Sequence, residues 1–403
     1  MRSASADRPP SGFRIDDPRV SERVQRFPES VIREMTRVAA AHGAVNLSQG
    51  YPDFDPPREL VKAAQDALQN GYNQYSTTWG APELREAIAR RSKIFNGIDA
   101  DPEANLVVTC GSTEAMMAAM LSLVNPEDEV VVFEPFYENY GPDAVMSGAT
   151  PRYVRMEWPD WRIDEESLKA AFTRRTKAVI VNTPNNPTGK VFSRRELGLL
   201  ADLCTDHDAV AVTDEIYEHI LYDGARHVSL ATVGDMAERT ITINGISKTY
   251  SATGWRIGWA IAPRNLATAM RRIHDFLTVG APHPLQIAAA SALGLPESYY
   301  EQLARMYSKK RNRFIRGLQS VGLDCHAPGG AYYVMSDFSR FPFEDDWEFA
   351  MYLVERLGVA TVPGSSFYGN PQDGAKFVRF MFSKKDDTLD EALRRLEPLK
   401  DVR

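Results

Sequence analysis

The sequence has very little cysteine and no long hydrophobic run. Only three cysteines occur in 403 residues, Cys110, Cys204 and Cys325, and their number and spacing fit neither a disulfide framework nor a Cys-x-x-Cys metal site. No stretch approaches the roughly 18 apolar residues of a membrane span. The first twenty residues also lack the apolar run of a secretory signal. We therefore expect a cytoplasmic protein without a metal centre and without a membrane partner.

The sequence also has no excess of positive charge. Lys and Arg number 47 against 54 for Asp and Glu, which gives a net charge of −7. This charge has the wrong sign for a strongly basic nucleic-acid binder. The patterns G-x-G-x-x-G and G-x-x-x-x-G-K-[ST] do not occur either, which argues against a nicotinamide- or nucleotide-binding enzyme.

The apolar runs predict an α/β protein, and the length of 403 residues suggests more than one domain. Short β-branched runs alternate with stretches of helical periodicity such as Thr113–Val124 and Ser193–Asp206. The runs cover residues 105–109, 129–133, 150–155, 178–181, 209–213, 240–243 and 257–261. Their nearly continuous hydrophobicity is typical of a mainly parallel sheet with helices on both faces.

The two ends of the chain differ from this central region. Residues 1–27 are rich in Pro and Arg without periodicity, which predicts an N-terminal arm. Residues Glu29–Ala41 have the spacing of an amphipathic helix that ends before Gly43. A long helix is predicted from Pro296 to about Ser320, followed by shorter elements. This order favours a second, smaller domain at the C-terminus.

Polar motifs follow several of the predicted strands, where the ligands of a parallel sheet bind. They are Cys110–Thr113, Glu134–Tyr140, Asn182–Gly189, Asp214–Tyr217 and Asn244–Arg256. Taken singly, most have an ordinary explanation. A hydroxyl or carboxylate caps the next helix, an aromatic ring belongs to the core, and a lysine is a solvated charge.

One cofactor would use the whole set. Pyridoxal phosphate needs a lysine for its Schiff base, a carboxylate for its ring nitrogen, donors for its phenolic oxygen, a phosphate cradle and a ring to stack on. Lys248 and Asp214 supply the first two, and the other motifs supply candidates for the rest. Because an unpaired buried carboxylate is costly, Asp214 and a protonated ring nitrogen would satisfy each other.

The motifs are similar to those of the class I and II aminotransferases, which are pyridoxal-phosphate enzymes of fold type I. The most specific are Ser247–Gly258 and Asn185–Gly189, and the resemblance extends from Asn46–Phe54 to Phe377–Phe380. Within the family, the chain looks most like the bacterial aspartate and methionine and the kynurenine and glutamine transaminases. The resemblance implies a large cofactor-binding domain with a mostly parallel seven-stranded sheet and a smaller α+β domain. The implied divisions are an arm at 1–27, the N-terminal part of the small domain at 28–46, the large domain at 47–295 and the C-terminal part of the small domain at 296–403.

The resemblance also implies the site residues. Lys248 would be the Schiff-base lysine and proton shuttle, and Asp214 the partner of the pyridine nitrogen. Arg379 would hold the substrate α-carboxylate in a bidentate fork that lysine cannot supply. The other implied contacts are Tyr217 and Asn186 at the phenolic oxygen, Gly50 and Asn186 beside the carboxylate, Tyr137 against the ring, Gly111, Ser112, Thr113 and Arg256 at the phosphate, and Tyr75 at the phosphate of the neighbouring subunit of a homodimer.

The implied reaction is transamination from an L-amino acid to a 2-oxo acid. Lys248 must be neutral to move the Cα proton, so we expect a hydrophobic or cationic neighbourhood, including Arg256, that lowers its pKa. No second cation for a distal carboxylate stands out, so a neutral or aromatic donor is expected, although acidic and basic donors stay open. The same fold also supports a carbon–sulfur lyase, a cyclopropane-forming synthase, or an amino-acid oxidase or hydroxylase. A non-catalytic binding module would have lost Lys248 or Asp214.

Two segments depart from the family pattern. Many members carry Ser or Thr three residues before the lysine as a phosphate ligand, and this chain has Gly245 there. Kynurenine and glutamine transaminases tend to place an aromatic residue and a histidine in the segment that is Gly280–Pro284 here. We therefore expect one phosphate hydroxyl to be missing and the side-chain pocket to differ from theirs.

Overall fold

The computed structural model describes Asp17 and residues 19–402. Its helices are α1 (Val31–Ala41), α2 (Arg58–Gln69), α3 (Pro82–Phe95), α4 (Ser112–Leu123), α5 (Tyr140–Met146), α6 (Glu165–Ala171), α7 (Arg194–Asp206), α8 (Arg264–Thr278), α9 (His283–Leu293), α10 (Glu297–Ser320), α11 (Asp346–Leu357) and α12 (Asp386–Leu396). Its strands are β1 (Val45–Asn46), β2 (Leu106–Thr109), β3 (Glu129–Glu134), β4 (Thr150–Glu157), β5 (Arg162–Ile163), β6 (Thr176–Asn182), β7 (Val210–Asp214), β8 (Thr240–Gly245), β9 (Gly258–Ile261), β10 (Asp324–Cys325), β11 (Tyr333–Asp337), β12 (Val359–Ala360), β13 (Val362–Pro363) and β14 (Phe377–Met381). Most of the predicted arm at 1–27 lies outside the described residues.

The largest sheet has the strand order β2-β9-β8-β7-β6-β3-β4-β5. Strands β8, β7, β6, β3 and β4 pair in parallel, and β9 runs antiparallel between β2 and β8. The mostly parallel α/β sheet predicted from the apolar runs is therefore confirmed. The two-residue strand β5 adds an eighth, antiparallel edge, which no β-branched run in the sequence indicated.

Local sequence explains where the helices on this sheet begin. Ser193 caps α7, and its side chain and Glu196 form a capping box. Helix α4 begins directly after Gly111, whose φ of +86° is one that glycine adopts most readily. The polar ends of the parallel strands and the start of α4 therefore meet at one edge of the sheet.

The N-terminal helix packs with the C-terminal part of the chain. Met35 and Ala39 of α1 belong to the same apolar core as Phe314 of α10 and Phe380 of β14. This region contains a four-stranded sheet in the order β10-β11-β14-β13 and the parallel pair β1-β12. In the part of the chain that the structure describes, no helix combines the length and the apolar character that crossing a membrane requires.

Candidate active site

A cavity of about 440 Å³ lies where the ends of the parallel strands face the C-terminal region. The residues predicted from the resemblance line it together, except Gly111 and Tyr75. The predicted residues in its lining are Gly50, Ser112, Thr113, Tyr137, Asn186, Asp214, Tyr217, Lys248, Arg256 and Arg379. Segments remote in sequence thus converge on one space, as the strand-end pattern led us to expect.

Lys248 lies in the loop after β8 and points its amine into this cavity. Its Nζ donates to the Gly50 carbonyl at 3.1 Å. Burial, together with the positive charges of Arg256 and Arg379, lowers the pKa of Lys248 to about 8, and the negative charge of Asp214 opposes this shift. The neutral fraction of this amine near neutral pH is therefore much larger than that of an ordinary lysine, and only the neutral form can accept a proton.

Asp214 ends β7 and is held by two donors. The Tyr140 hydroxyl donates to its Oδ2 at 2.8 Å, and the Ile216 amide donates to its Oδ1 at 3.2 Å. Burial raises the pKa of Asp214, and these bonds and the charge of Lys248 oppose the rise. The carboxylate form is therefore most stable when a cation lies against it, such as a protonated ring nitrogen.

The strand end next to Asp214 is fixed by Asn182, a residue that the sequence analysis did not single out. Its Nδ2 donates to the Asp214 carbonyl at 2.9 Å, and its Oδ1 accepts from the Asn186 amide at 2.7 Å. Asn182 thereby sets the position of Asn186 relative to Asp214. Tyr140 was missed for the same reason: both act through a second residue.

The start of α4 and Arg256 lie against each other at the cavity. Arg256 has a left-handed φ of +55°, and its Nη1 donates to the Thr253 carbonyl at 2.9 Å. A Cβ on Gly111 would overlap the Arg256 guanidinium, so glycine is what allows the two to approach. The free backbone amides of a helix start and a guanidinium together favour a phosphate.

The expected loss of one hydroxyl at Gly245 has a steric basis. A Cβ at this position would lie 2.7 Å from the Ile257 carbonyl oxygen and 3.0 Å from the Gly258 Cα. Serine or threonine would not fit without a backbone shift. Ser247 lines the cavity instead, and it was not among the predicted residues.

Arg379 of β14 is fully buried, which excludes the surface ion pair that an isolated arginine could form. Its Nη1 donates to the Asn186 Oδ1 at 2.9 Å, and its Nη2 donates to the Ser48 carbonyl. Its Nε has no hydrogen-bond partner among the described residues. The guanidinium is thus held in orientation and keeps donor capacity, which fits a carboxylate ligand.

Tyr333 contacts both Tyr217 and Arg379, and the sequence analysis did not identify it. Its hydroxyl lies 3.0 Å from the Tyr217 hydroxyl, and its ring centroid lies 4.5 Å from the Arg379 guanidinium carbon. A Cβ on Gly50 would overlap the Tyr333 hydroxyl. The neighbouring Tyr332 donates to the Gly50 carbonyl at 3.0 Å, so this backbone oxygen accepts from both Tyr332 and Lys248.

Tyr75 does not line the cavity. It is 83% exposed. The carbonyl of the preceding Gln74 lies 2.9 Å from the Nδ1 of His283, so the segment 280–284 is beside Tyr75 rather than in the cavity lining.

One group of potential metal ligands occurs elsewhere among the described residues. Carboxylate and imidazole atoms of Glu215, Glu218 and His227 lie within 4.8 Å of one another. Glu215 accepts from Ser229 at 2.9 Å and lies 2.7 Å from His227, and Glu218 accepts from Asn96 at 2.7 Å. Each of the three side chains thus has a polar protein partner, and the buried Nδ1 of His227 has none among the described residues.

The donor set of the cavity fits pyridoxal phosphate. The start of α4 and Arg256 would suit its phosphate, Asp214 its ring nitrogen, and Lys248 its aldehyde. Tyr137 and Tyr217 supply the aromatic ring and the phenol that the remaining contacts need.

Comparison with known proteins identifies the family. Residues 42–396 match the model of the family described as aminotransferase class I and II. The probable N-succinyldiaminopimelate aminotransferase of Mycobacterium tuberculosis is 41% identical over 388 residues, which cover 94% of this chain and 98% of that protein. The solved structure of the N-succinyldiaminopimelate aminotransferase from that organism matches with a TM-score of 0.92 and 41% identity, covering 94% of this chain and all of the other. Human kynurenine–oxoglutarate transaminase 1 is 37% identical over 400 residues, covering 90% and 94%.

These matches extend over nearly the whole chain and agree with the chemistry of the cavity. The chain belongs to the class I and II aminotransferases, and it is a pyridoxal-phosphate-dependent enzyme that transfers the amino group of an amino acid to a 2-oxo acid.

Proposed function

We propose that Lys248 is the residue that holds the cofactor and moves the proton during transamination. Pyridoxal phosphate, when bound, supplies the electron sink that stabilises negative charge at the substrate Cα. Lys248 would hold the cofactor until the substrate amine replaces it, and its neutral amine would then accept the Cα proton. The observation that carries this proposal is that the Lys248 amine shares one cavity with Asp214, the start of α4 and Arg379.

In this proposal, Asp214 keeps the ring nitrogen of the cofactor protonated. The hydrogen bond from Tyr140 supports the charged form of the carboxylate, and burial makes an opposing cation necessary. Asn186 and Tyr217 would donate to the phenolic oxygen of the cofactor. The Asn186 Oδ1 already accepts from Arg379, so its amide nitrogen remains available.

Arg379 would bind the substrate α-carboxylate. It is buried under the rings of Tyr333 and Phe367, whose centroids lie 4.5 and 5.0 Å from its guanidinium carbon. Two of its nitrogens are bonded to the protein, so binding would not require the side chain to be ordered first. The Gly50 carbonyl would lie beside the substrate and contact Lys248.

We propose a neutral or aromatic amino acid as the amino donor. Tyr51, Tyr137 and Tyr333 contribute aromatic surface to the cavity, and Ile32 contributes an aliphatic side chain. The test is initial-rate kinetics with a panel of L-amino acids and one fixed 2-oxo acid. Methionine, phenylalanine or kynurenine should give the highest kcat/KM values. A higher kcat/KM for arginine or lysine would contradict this assignment, and release of ammonia or uptake of oxygen would indicate a lyase or oxidase.

We further propose a homodimer in which Tyr75 completes the neighbouring site. The supporting observations are the 83% exposure of Tyr75 and the exposure of other large apolar side chains, including Phe276 at 92% and Leu68 at 51%. Mixed dimers test this arrangement. When Lys248→Ala and Tyr75→Ala subunits are combined, one site of each mixed dimer keeps both residues only if Tyr75 crosses the interface, so activity should be regained. No regain in mixed dimers that are shown to form would contradict the shared site.

Two further assignments concern the cellular compartment and the domain boundaries. All three cysteines are unpaired, which supports a reducing compartment such as the cytoplasm. We retain residues 47–295 as the large domain and 28–46 with 296–403 as the small domain, supported by the apolar core that α1 shares with the C-terminal elements.

A further inference from the structure

His274 is a buried titratable side chain that the chemistry described above does not use. It belongs to α8, which packs against α4 and β2, and its side chain is fully buried. Burying an imidazole is costly unless its nitrogens find polar partners. The partners of His274 come from two segments that are separate in the sequence.

Both ring nitrogens of His274 face acceptors. Nδ1 lies 2.6 Å from the Glu114 Oε1, and Nε2 lies 2.9 Å from the Thr78 carbonyl oxygen. A carbonyl can only accept, so Nε2 carries a hydrogen. The Glu114 oxygens also accept from the Thr278 hydroxyl at 2.8 Å and from the Cys110 amide. A carboxylate surrounded by donors accepts from Nδ1 as well, so the ring is protonated on both nitrogens and positively charged.

The pKa of Glu114 agrees with this assignment. Burial raises the pKa of Glu114, but the hydrogen bond and the charge of His274, together with the bonds from Cys110 and Thr278, lower it more. The pKa therefore lies below its usual value, and the two side chains form a buried ion pair. Removal of either partner leaves the other charge uncompensated.

Glu114 connects this ion pair to the start of α4. It is the third residue of that helix, and its Oε2 accepts from the amide of Cys110, directly before Gly111. The turn that presents Ser112 and Thr113 to the cavity is thus closed by the Glu114 carboxylate. Because backbone amides bind a phosphate only when they point at it, the position of Glu114 matters for the phosphate site.

The Thr78 carbonyl connects the same ring to the segment that carries Tyr75. Thr78 follows Tyr75 by three residues. The next residue, Trp79, is fixed to the large sheet, because its carbonyl accepts from the Val108 amide of β2 at 3.0 Å. In the proposed dimer, Tyr75 reaches the phosphate of the neighbouring subunit. One buried ring therefore joins the two segments on which the phosphate contacts depend.

We propose that His274 is a positioning residue for the cofactor phosphate: its charged ring holds Glu114, and with it the start of α4, against the segment that carries Tyr75. This inference rests on the proposed function, in which the start of α4 and Arg256 hold that phosphate. His274 does not line the cavity, so it acts through Glu114 and Thr78 and not by contact with the cofactor.

The test compares two ligands that differ only in the phosphate. Dissociation constants of pyridoxal phosphate and of pyridoxal are measured on the cofactor-free protein from the absorption of the Schiff base. The variants are His274→Phe, which keeps only a ring, His274→Gln, which keeps N–H donors without the charge, and Glu114→Gln. The quantity compared is the ratio of the dissociation constant of pyridoxal phosphate to that of pyridoxal.

His207→Phe is the matched control. The Nδ1 of His207 also lies against a backbone carbonyl, that of Thr173 at 3.2 Å. His207 follows α7 and precedes β7, so it lies at the other end of that strand from Asp214. The control therefore removes a similar bond away from the cavity.

His274→Phe should raise the ratio about tenfold, Glu114→Gln about fivefold and His274→Gln about threefold. The combination of His274→Phe with Glu114→Gln should raise it no more than His274→Phe alone, because the two residues act as one pair. His207→Phe should leave the ratio within about 1.5-fold of the parent. In the holoenzymes, the phosphorus NMR resonance of the bound cofactor should move in the His274 variants and stay in place in His207→Phe.

Equal weakening of both ligands by His274→Phe overturns the inference, since a merely structural role predicts that result. An unchanged ratio, or the same rise in His207→Phe, overturns it as well. If His274→Phe does not fold, His274→Gln and Glu114→Gln decide the matter, and an unchanged ratio in both is the contrary result. Failure of the proposed function looks different, because the parent protein would then bind pyridoxal phosphate no more tightly than pyridoxal.

Discussion

The pKa of Lys248 can be measured through the rate at which the cofactor-free protein captures pyridoxal phosphate, because only the neutral amine attacks an aldehyde. Burial and the nearby guanidinium groups lower this pKa from 10.5 to about 8. At pH 7, about one tenth of such an amine is neutral, against about one in 3,000 for a lysine with pKa 10.5. At equal intrinsic reactivity, capture at pH 7 is then about 300-fold faster than by an ordinary lysine.

The assay is stopped-flow absorbance between pH 6 and about 10, with Nα-acetyl-lysine in the same buffers to correct for titration of pyridoxal phosphate itself. The rate constant should rise with pH and level off above an apparent pKa near 8. Arg379→Gln removes a charge that lowers the pKa and should raise it, whereas Asp214→Asn removes a charge that raises the pKa and should lower it. An apparent pKa near 10.5 in the parent, or shifts in the same direction in both variants, would refute the reasoning.

Three substitutions test other parts of the site. Arg379→Lys keeps the charge but loses the bidentate geometry. The KM values of donors and acceptors alike should therefore rise about thirtyfold, equivalent to about 2 kcal/mol of binding free energy. Unchanged KM values would argue against a carboxylate at this position. Tyr140→Phe removes a hydrogen bond that lowers the pKa of Asp214, so the acidic limb of the pH–activity profile should move to higher pH. An unmoved acidic limb would mean that Asp214 does not titrate in that pH range. Tyr333→Phe keeps the ring against Arg379, so KM should change by less than about threefold. Tyr333→Leu also loses the cation–π contact with Arg379, which is worth about 0.5–2 kcal/mol, so KM should rise further. Equal KM values in the two Tyr333 variants would leave the ring no role in orienting Arg379.

The large sheet could be predicted because its strands are buried on both faces and therefore have nearly continuous apolar sequences. Strands β3 and β8 are buried along their whole length. The pairing order could not be predicted, because β2 lies beside β9, from a segment about 150 residues later. Helix α9 was not predicted either, since it is apolar on most of its surface and has little amphipathic period.

The residues at strand ends were predictable for a different reason. Lys248, Asp214 and Asn186 each follow an apolar run, and the geometry of parallel sheets brings such positions together. Tyr333 was not predictable, because it begins a strand of the smaller sheet and reaches Tyr217 only through the tertiary fold.

The central claim is that this cavity transfers amino groups with Lys248 as the proton carrier. The most direct test is to add an L-amino acid, without any 2-oxo acid, to the purified holoenzyme and to follow the visible absorption of the cofactor together with the products. We expect loss of that absorption with release of one equivalent of 2-oxo acid per site, and no such release from Lys248→Ala. Release of ammonia, consumption of oxygen, or an undiminished reaction in Lys248→Ala would contradict the account.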